Sequence, residues 1–423
     1  MPMLKSASDV TRQDKSPGNH LQIPNDTPPE RIRIARFEKE ARAVRIQWAD
    51  GHVSHFHFIW LRHNCFCPVC GDSGDGIRFN PITSIPSQIV PHSVELDGTG
   101  NLVVGWDSNG HRSEFGPEWL RAYCYSDEER ARRNSFVPKL WKSDFIDRVP
   151  DCEFLAIMEN EASRLIMFEN LRDYGLVRVK SVGLDAANTE RLANLFGPIH
   201  ETNEFGYIYD VKSRPVAKFG AQTAMHQDPH HDDVFQYMPP GIDIFHCLVN
   251  TGGHGGESTY VDGYSIAESL RMEEPEAFRL LTTVPIQHNR RHPGSVDFRS
   301  TAHVIRLDHE GKVSGVRYQD RAVAPLDVPG NLIEPMFEAQ RQYIERMTSS
   351  AFKIEFLVRP GEGVIIDNQR VMHGRNSFDT STGRHVRLCV VDREEFHARL
   401  RDLGARLGRS DYDLRLPAGA VLP

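Results

Sequence analysis

The sequence predicts a mainly β protein with flanking helices, in which a barrel or double-sheet jelly-roll domain follows a smaller β-rich domain. Three observations indicate this architecture. The chain has 423 residues, more than one ordinary core accommodates. From about residue 198 to residue 392, short apolar or alternating runs are separated by Gly, Pro, Asn and Asp, as in many short strands joined by turns. Near the N-terminus, one strand-like pattern occurs twice.

We expect four segments along the chain. Residues 1–30 mix both charges with Pro, Ser and Asn and lack the apolar core of a signal peptide, which predicts a disordered tail. Residues 31–125 form the small β-rich domain, and the charged residues 126–150 form a helical connector. The larger domain takes residues 151–423.

The composition excludes several classes of partner. A formal net charge of -8 gives no electrostatic reason to expect nucleic acid or an anionic membrane. No apolar run approaches the roughly 20 residues that span a bilayer. Seven cysteines, three of them crowded together, suit a reducing compartment better than a disulfide framework. We therefore expect a cytoplasmic protein.

Two segments in the small domain match one another: GHVSHFHFIWLRHNC (51–65) and GHRSEFGPEWLRAYC (110–124). Each follows a strand-like run, VRIQWAD (44–50) or LVVGWDS (102–108), which predicts two related β-rich units packed as one domain. The identical pairs are Gly51/Gly110, His52/His111, Ser54/Ser113, Phe56/Phe115, Trp60/Trp119, Leu61/Leu120, Arg62/Arg121 and Cys65/Cys124.

Cys65, Cys67 and Cys70 are close enough in sequence to share one zinc ion. A structural zinc site needs a fourth ligand to complete its tetrahedron, and the candidates are His63, His111 and Cys124. Nothing indicates an open coordination position, so the metal would order a domain with a modest core.

In the larger domain, the spacing of apolar residues predicts both helices and strands. Helices are predicted over residues 153–173, 186–196 and 264–284, and strands over residues 176–182, 242–249, 352–358, 363–367 and 384–391.

A second metal site is predicted from His226-x-Asp228 and His373. Residues two apart on a strand face the same way, so His226 and Asp228 can converge on one ion. Two histidines and one carboxylate leave open positions, as in non-haem iron(II) oxygenases. Arg384 follows in the next strand, where its guanidinium suits the far carboxylate of 2-oxoglutarate. The same segment also offers competing ligands, namely His230, His231, Asp232 and Asp233.

The chain resembles the gamma-butyrobetaine dioxygenase and trimethyllysine dioxygenase family after residue 30. The resemblance lies in CFCPVC (65–70), the GHxSxF…WLR echoes, MHQD (225–228), the run PPGIDIFHCLVNTGGHGGESTYVDGYSIAESLR (239–271), DNQRVMHGR (367–375) and GRH (383–385). It implies a double-stranded β-helix catalytic domain behind a small zinc domain, and a homodimer. Carried over by position, it implies zinc at Cys65, Cys67, Cys70 and His111 rather than His52, iron at His226, Asp228 and His373, and 2-oxoglutarate at Arg384.

The family's substrate pocket is matched less well. Its butyrobetaine members enclose a trimethylammonium group in aromatic side chains, a cation–π device. Phe205 and Tyr209 fall where two of these are expected, whereas Lys218, Pro229 and Val390 occupy three others. A lysine beside the pocket would repel an ammonium group and attract an anion.

The resemblance implies oxidation of an unactivated C–H bond in a small zwitterionic amine acid, most simply hydroxylation of a gamma-butyrobetaine-like compound. Iron(II), 2-oxoglutarate and oxygen would take part, and ascorbate would stimulate turnover. The same chemistry on a free amino acid or aminophosphonate could hydroxylate, desaturate or close a ring in natural-product biosynthesis. A third alternative is a non-catalytic sensor or binding protein on the same fold.

Overall fold

The computed structural model describes residues 32–38, 40–72, 74, 76–106, 110–201, 206–212, 223–250, 255–379, 383–409 and 416. These residues form two compact units that divide between Arg133 and Asn134. The predicted tail over residues 1–30 lies outside the described residues. Within the described part of the chain, no helix is long and apolar enough to cross a membrane.

The first unit contains two three-stranded antiparallel sheets, β1-β2-β3 and β6-β7-β8, each leading directly into a short helix. Its strands are β1 (Ile32–Glu38), β2 (Ala43–Trp48), β3 (Val53–His57), β4 (Gly71–Asp72), β5 (Ile77–Arg78), β6 (Ser93–Leu96), β7 (Leu102–Gly105) and β8 (Arg112–Phe115), and its helices are α1 (Phe58–His63), α2 (Pro117–Ala122) and α3 (Asp127–Arg133). The two sheets share one core, to which both copies of the duplicated segment contribute Phe and Leu at matching positions. The predicted pair of related β-rich units is therefore present.

The second unit is a jelly roll of a six-stranded and a four-stranded sheet, as predicted, with orders β11-β22-β13-β20-β10-β9 and β12-β21-β14-β19. Two hairpins, β15-β16 and β17-β18, are added to it. The strands are β9 (Asp151–Glu153), β10 (Leu176–Lys180), β11 (Tyr209–Lys212), β12 (Gln227–His230), β13 (Ile242–Asn250), β14 (Ser258–Asp262), β15 (Ile286–His292), β16 (Val296–Ala302), β17 (Ile305–Leu307), β18 (Val313–Val316), β19 (Lys353–Phe356), β20 (Gly363–Asp367), β21 (Val371–Arg375) and β22 (Arg384–Val391).

Helices cover the jelly roll and separate its apolar core into layers. They are α4 (Phe154–Glu159), α5 (Glu161–Tyr174), α6 (Ala187–Ala193), α7 (Gly263–Glu273), α8 (Pro275–Thr283), α9 (Ile333–Thr348) and α10 (Arg393–Arg406). Helices α5, α6 and α10 pack on the six-stranded sheet, and α7, α8 and α9 form a second layer with β17 and β18. A third apolar cluster joins residues of both sheets, including Tyr260, Val364 and Val386.

Two predicted helices are each broken into two. The helix expected over 153–173 is interrupted at Asn160, whose side chain accepts a hydrogen bond from the Ser163 backbone N–H and so starts α5. The helix expected over 264–284 breaks at Glu274, because Pro275 lacks an N–H for the preceding turn but is suited to the first position of α8.

A buried ion pair fixes the strand that carries His373. The Arg370 guanidinium meets both carboxylate oxygens of Asp262 at 3.0 Å, and the two side chains are 2% and 0% exposed. Arg370 also donates to the backbone carbonyls of Asp173 and Lys139, both at 2.7 Å. Because Arg370 immediately precedes β21 and Asp262 ends β14, the pair locks these neighbouring strands together.

We expect Arg370→Met to lower the free energy of unfolding by about 3–5 kcal/mol, because it leaves the Asp262 carboxylate buried without its cation. Chemical denaturation of the full chain measures this. Arg341→Met is the matched control, since the Arg341–Glu338 pair is exposed on both sides. Equal midpoints for the two variants would show that the buried pair is unimportant.

Candidate active site

The site is organised by the pairing of β12 with β21. Gln227 lies opposite Arg375 and His230 lies opposite His373, so β12 holds one more residue than β21 between these pairs. Such a bulge changes the face to which the following side chains point. Gln227 and His230 consequently both face the interior cavity, although they are three positions apart.

Three potential metal ligands meet inside the jelly roll: His230, Asp232 and His373. One ligand atom from each lies within 4.8 Å of the others. His230 Nε2 is 3.5 Å from Asp232 Oδ1, and His373 Nε2 is 3.7 Å from Asp232 Oδ2. Two imidazoles and one carboxylate around a common point suit iron(II), with coordination positions left open.

The structure corrects two of the predicted ligands. His226 and Asp228 do not reach His373; their side chains are 47% and 63% exposed and pair with each other at 3.0 Å. The predicted H-x-D spacing is correct, but the bulge turns this pair outward and the next pair, His230 and Asp232, inward. His373 is the predicted ligand that the structure retains in the cluster.

A hydrogen bond fixes the protonation of His230, and burial favours the neutral form of His373, so both imidazoles suit metal binding. The Nδ1 atom of His230 is 2.8 Å from the Asp228 carbonyl oxygen, so it donates its proton there and leaves Nε2 free of hydrogen. Burial lowers the pKa of His373 to about 4, which favours the neutral form of that imidazole. Burial alone would raise the pKa of Asp232, but the neighbouring His373 and His230 lower it below its usual range.

Asn368 positions Asp232 and was not predicted. Its Oδ1 accepts a hydrogen bond from the Asp232 backbone N–H at 2.8 Å. Its Nδ2 donates to the carbonyls of Asp232 at 3.1 Å and Pro240 at 3.2 Å. Asn368 is 1% exposed. The available sequence signal was its place in DNQR, in the turn just before the strand that bears His373.

A cavity of about 440 Å³ opens beside the three ligands, and Arg384 lies on its wall. The guanidinium carbon of Arg384 is 5.9 Å from the centre of the Phe378 ring. No carboxylate of the described residues forms an ion pair with it, and burial lowers its pKa. A partly buried cation of this kind suits a carboxylate ligand, which is the role predicted for Arg384.

Arg375, also missed by the sequence analysis, lines the same cavity. It donates to the Thr223 carbonyl at 2.7 Å and the Met225 carbonyl at 3.0 Å. It thereby ties the segment that enters β12 to the strand that carries His373.

The predicted substrate residues are only partly described. Tyr209 lines the cavity, and so does Val390, whereas Phe205 and Lys218 lie outside the described residues. Pro229 is not among the described residues that line the cavity, whereas Asp233, next to the ligand Asp232, is. The backbone φ of Asp233 is 51°.

The first unit brings together a separate group of potential ligands, namely Cys65, Cys67, Cys70 and His111, all within 4.8 Å. His111 Nε2 is 3.6 Å from Cys65 Sγ and 3.5 Å from Cys70 Sγ. Tetrahedral zinc with ordinary bond lengths separates sulfur and nitrogen ligands by roughly 3.5 Å. Of the candidates for the fourth ligand, His111 is thus the one that completes the cluster.

Comparisons with known proteins agree with both units. Residues 157–390 match the model of the "Taurine catabolism dioxygenase TauD, TfdA family", and residues 35–111 match "Gamma-butyrobetaine hydroxylase-like, N-terminal". The gamma-butyrobetaine dioxygenase of Pseudomonas sp. (strain AK-1) is 35% identical, over 87% of this chain and 95% of that protein. The human gamma-butyrobetaine dioxygenase is 26% identical, over 89% and 98%. The trimethyllysine dioxygenase of Meyerozyma guilliermondii is 28% identical, over 87% and 95%.

The jelly roll with its His-Asp-His cluster and the family match define the class: Fe(II)- and 2-oxoglutarate-dependent dioxygenases. Within this class, the chain belongs to the gamma-butyrobetaine and trimethyllysine dioxygenase family, whose TauD-type domain follows an N-terminal β-rich domain.

Replacing Asn368 with Ala should weaken iron(II) binding by about 10- to 100-fold, the usual effect of removing a group that orients a ligand. The variant keeps all three ligands but frees the backbone of Asp232. Equilibrium dialysis with iron(II) under anaerobic conditions measures the affinity. Asn194→Ala, at an exposed asparagine on α6's C-terminal side, is the control. Unchanged affinity in the Asn368 variant would rule out the positioning role.

Substituting His111 with Ala should remove zinc from the purified protein, whereas His52→Ala should retain it. The reason is that only His111 lies with the three thiols of Cys65, Cys67 and Cys70. Elemental analysis of the two full-length variants gives the zinc content. The opposite result would assign the ligand to the other copy of the duplicated segment.

Proposed function

We propose that this dioxygenase oxidises an unactivated C–H bond of a small zwitterionic amine acid, most simply by hydroxylating a gamma-butyrobetaine-like compound. The observation that carries the proposal is one cavity that holds His230, Asp232 and His373 together with Arg384. Support also comes from the 35% identity with a gamma-butyrobetaine dioxygenase over nearly the full length of that protein.

In this proposal, His230, Asp232 and His373 hold iron(II). Bound iron(II) would allow 2-oxoglutarate, O₂ and a substrate C–H bond to react, giving succinate, carbon dioxide and C–OH. The protein holds the three ligands on paired strands and a turn, and Asn368 fixes the backbone of Asp232. Because all three side chains line the cavity, a bound ion would be reached from there by cosubstrate and substrate.

Arg384 would bind the 5-carboxylate of 2-oxoglutarate. Its neighbours on the cavity wall include the side chains of Cys247 and Tyr260. Burial raises the pKa of the Cys247 thiol to about 11, and burial also raises the pKa of Tyr260, so both groups are neutral. Arg384 is therefore the charged member of this group of three, which favours an anionic cosubstrate over a neutral one.

Elsewhere on its wall the cavity also offers both signs of charge, which suits a zwitterion. Asp233 supplies a carboxylate, and Arg290 and Arg321 supply cations. Arg290 lies over the Phe235 ring, with 5.2 Å between its guanidinium carbon and the ring centre. Tyr209 adds an aromatic face on which an ammonium group could rest.

Asp233 and Val390 favour a second candidate function. Val390 is aliphatic where the family resemblance implies an aromatic side chain, and Asp233 adds a carboxylate to the cavity wall. A primary ammonium group can donate hydrogen bonds to a carboxylate, whereas a trimethylammonium group has no N–H to donate. The second candidate is therefore the same oxidation of a free amino acid or aminophosphonate, with hydroxylation, desaturation or ring closure as the outcome.

Several further properties rest on the sequence and the family resemblance. We propose that Cys65, Cys67, Cys70 and His111 hold a structural zinc ion, that the protein is a cytoplasmic homodimer and that ascorbate stimulates turnover. A non-catalytic sensor on this fold stays the alternative of another class, and absence of succinate formation with every substrate would favour it.

Succinate formation tests the proposed function. The protein is incubated with iron(II), ascorbate, oxygen and 2-oxoglutarate and with gamma-butyrobetaine, trimethyllysine, aliphatic amino acids or aminophosphonates in turn. We expect stimulation by gamma-butyrobetaine. Stimulation restricted to primary amines would replace it with the second candidate. Arg384→Gln, which should raise the KM for 2-oxoglutarate without weakening iron binding, is the control for cosubstrate-dependent turnover.

The Asp233→Asn variant separates the two candidates. A hydrogen bond to a charged group contributes about 1.5–3 kcal/mol, so loss of the carboxylate should raise the KM of a primary amine by about tenfold or more. The KM of a trimethylammonium substrate should change much less. Iron(II) affinity, measured in parallel, must stay at the wild-type value for the comparison to report on substrate.

A further inference from the structure

The two copies of the duplicated segment have the same backbone conformation and the same side-chain hydrogen bonds at matching positions. Gly51 and Gly110 both have a positive φ, of 91° and 86°. Ser54 and Ser113 are both buried, and each accepts a hydrogen bond from a tryptophan Nε1, that of Trp48 at 2.8 Å and that of Trp106 at 2.7 Å. Residues at matching positions in the two copies therefore have the same structural environment.

The metal-ligand cluster of the first unit combines ligands from both copies of the duplicated segment. Its thiols follow the first copy, and its imidazole, that of His111, belongs to the second. The matching residues form the reverse combination: Cys124 of the second copy contacts His52 of the first. Cys124 Sγ is 3.5 Å from His52 Nε2, close to the 3.6 Å between Cys65 Sγ and His111 Nε2.

The residues after Cys124 continue the correspondence. CFCPVC (65–70) aligns with CYSDEE (124–129), so Ser126 takes the place of Cys67 and Glu129 that of Cys70. The Ser126 hydroxyl is 3.6 Å from Cys124 Sγ, which puts it where a second thiol would stand. At matching positions, the Cys70 N–H donates to the Cys67 backbone carbonyl and the Glu129 N–H donates to the Ser126 hydroxyl.

Cys70 and the matching residue Glu129 each contact an arginine, and these two arginines also occupy matching positions. Arg62 donates to Cys70 Sγ at 3.3 Å, and Arg121 meets Glu129 Oε1 at 2.9 Å. Glu129 is 2% exposed and also pairs with Arg132 at 2.6 Å. Arg121 belongs to α2 and Glu129 to α3, so this buried ion pair joins the two helices.

We propose that the first unit contains two equivalent metal cradles, of which one is complete and the other is closed by ion pairs instead of a metal. The complete cradle is Cys65, Cys67, Cys70 and His111. The incomplete cradle is Cys124, Ser126, Glu129 and His52. The second cradle keeps a thiol and an imidazole in ligand geometry and lacks only two thiols, so Ser126→Cys with Glu129→Cys makes it a zinc site.

Cobalt(II) absorption tests this in the full-length protein. Thiolate-to-cobalt charge transfer counts thiolate ligands, and the His230–Asp232–His373 cluster has none. We expect the double variant to give about twice the wild-type intensity and one further zinc ion per chain, because each complete cradle supplies three thiolates. Adding His52→Ala should weaken binding at the new site, while His111→Ala should leave it and remove the original.

Wild-type intensity in a folded double variant would overturn the proposal. If the double variant does not fold, Ser126→Cys alone decides, because it keeps the Glu129 ion pairs. It should gain a charge-transfer band from Cys124 and the new thiol at high cobalt(II), and absence of that gain would equally refute the proposal. The complete cradle is measured separately in the wild-type protein, so its failure to bind metal is a distinct result.

Discussion

The site depends on the pairing of β12 with β21 and on the one extra residue that β12 accommodates. Without that residue, the alternation of a strand would turn His226 and Asp228 inward with Gln227 outward. With it, Gln227 faces the cavity, His226 and Asp228 face solvent, and His230 comes to lie opposite His373. Asp232 follows two residues later and completes the ligand set.

The turn between β20 and β21 connects this pairing to the rest of the jelly roll. Asn368 holds the backbone of Asp232, and two residues on, Arg370 is buried against Asp262. Between them, the Gln369 carbonyl accepts the Val316 N–H, and its side chain bonds to Arg306. One short turn thus links the metal cluster, the four-stranded sheet and the β17–β18 hairpin. This explains why so many polar side chains are buried close to the site.

Much of the fold could be predicted from the sequence, because strand boundaries depend on local apolar patterns and turn residues. The predicted strands over 363–367 and 384–391 coincide with β20 and β22. The helix breaks at Asn160 and Glu274 also follow from local signals, namely the capping side chain of Asn160 and the proline at position 275. The duplicated segment predicted two related β-rich units correctly, because identical residues at identical spacing bury the same positions.

The metal site was harder to predict, because its geometry depends on distant contacts. Both MHQD and HHD satisfy the H-x-D spacing, and the choice between them depends on a bulge set against a strand much later in the chain. The roles of Asn368 and Arg375 also depend on which backbone groups they meet in the folded chain. His373 was easier, since it follows an apolar strand and a polar turn and has no nearby competitor.

The most direct test of the central claim compares iron(II) binding in Asp232→Ala and Asp228→Ala, two aspartates within one short segment. The corrected ligand set predicts that Asp228→Ala binds iron(II) like the wild type. Asp232→Ala should lose more affinity than the about 10- to 100-fold expected for removing an outer partner. Loss of iron binding in Asp228→Ala, with normal binding in Asp232→Ala, would contradict the account.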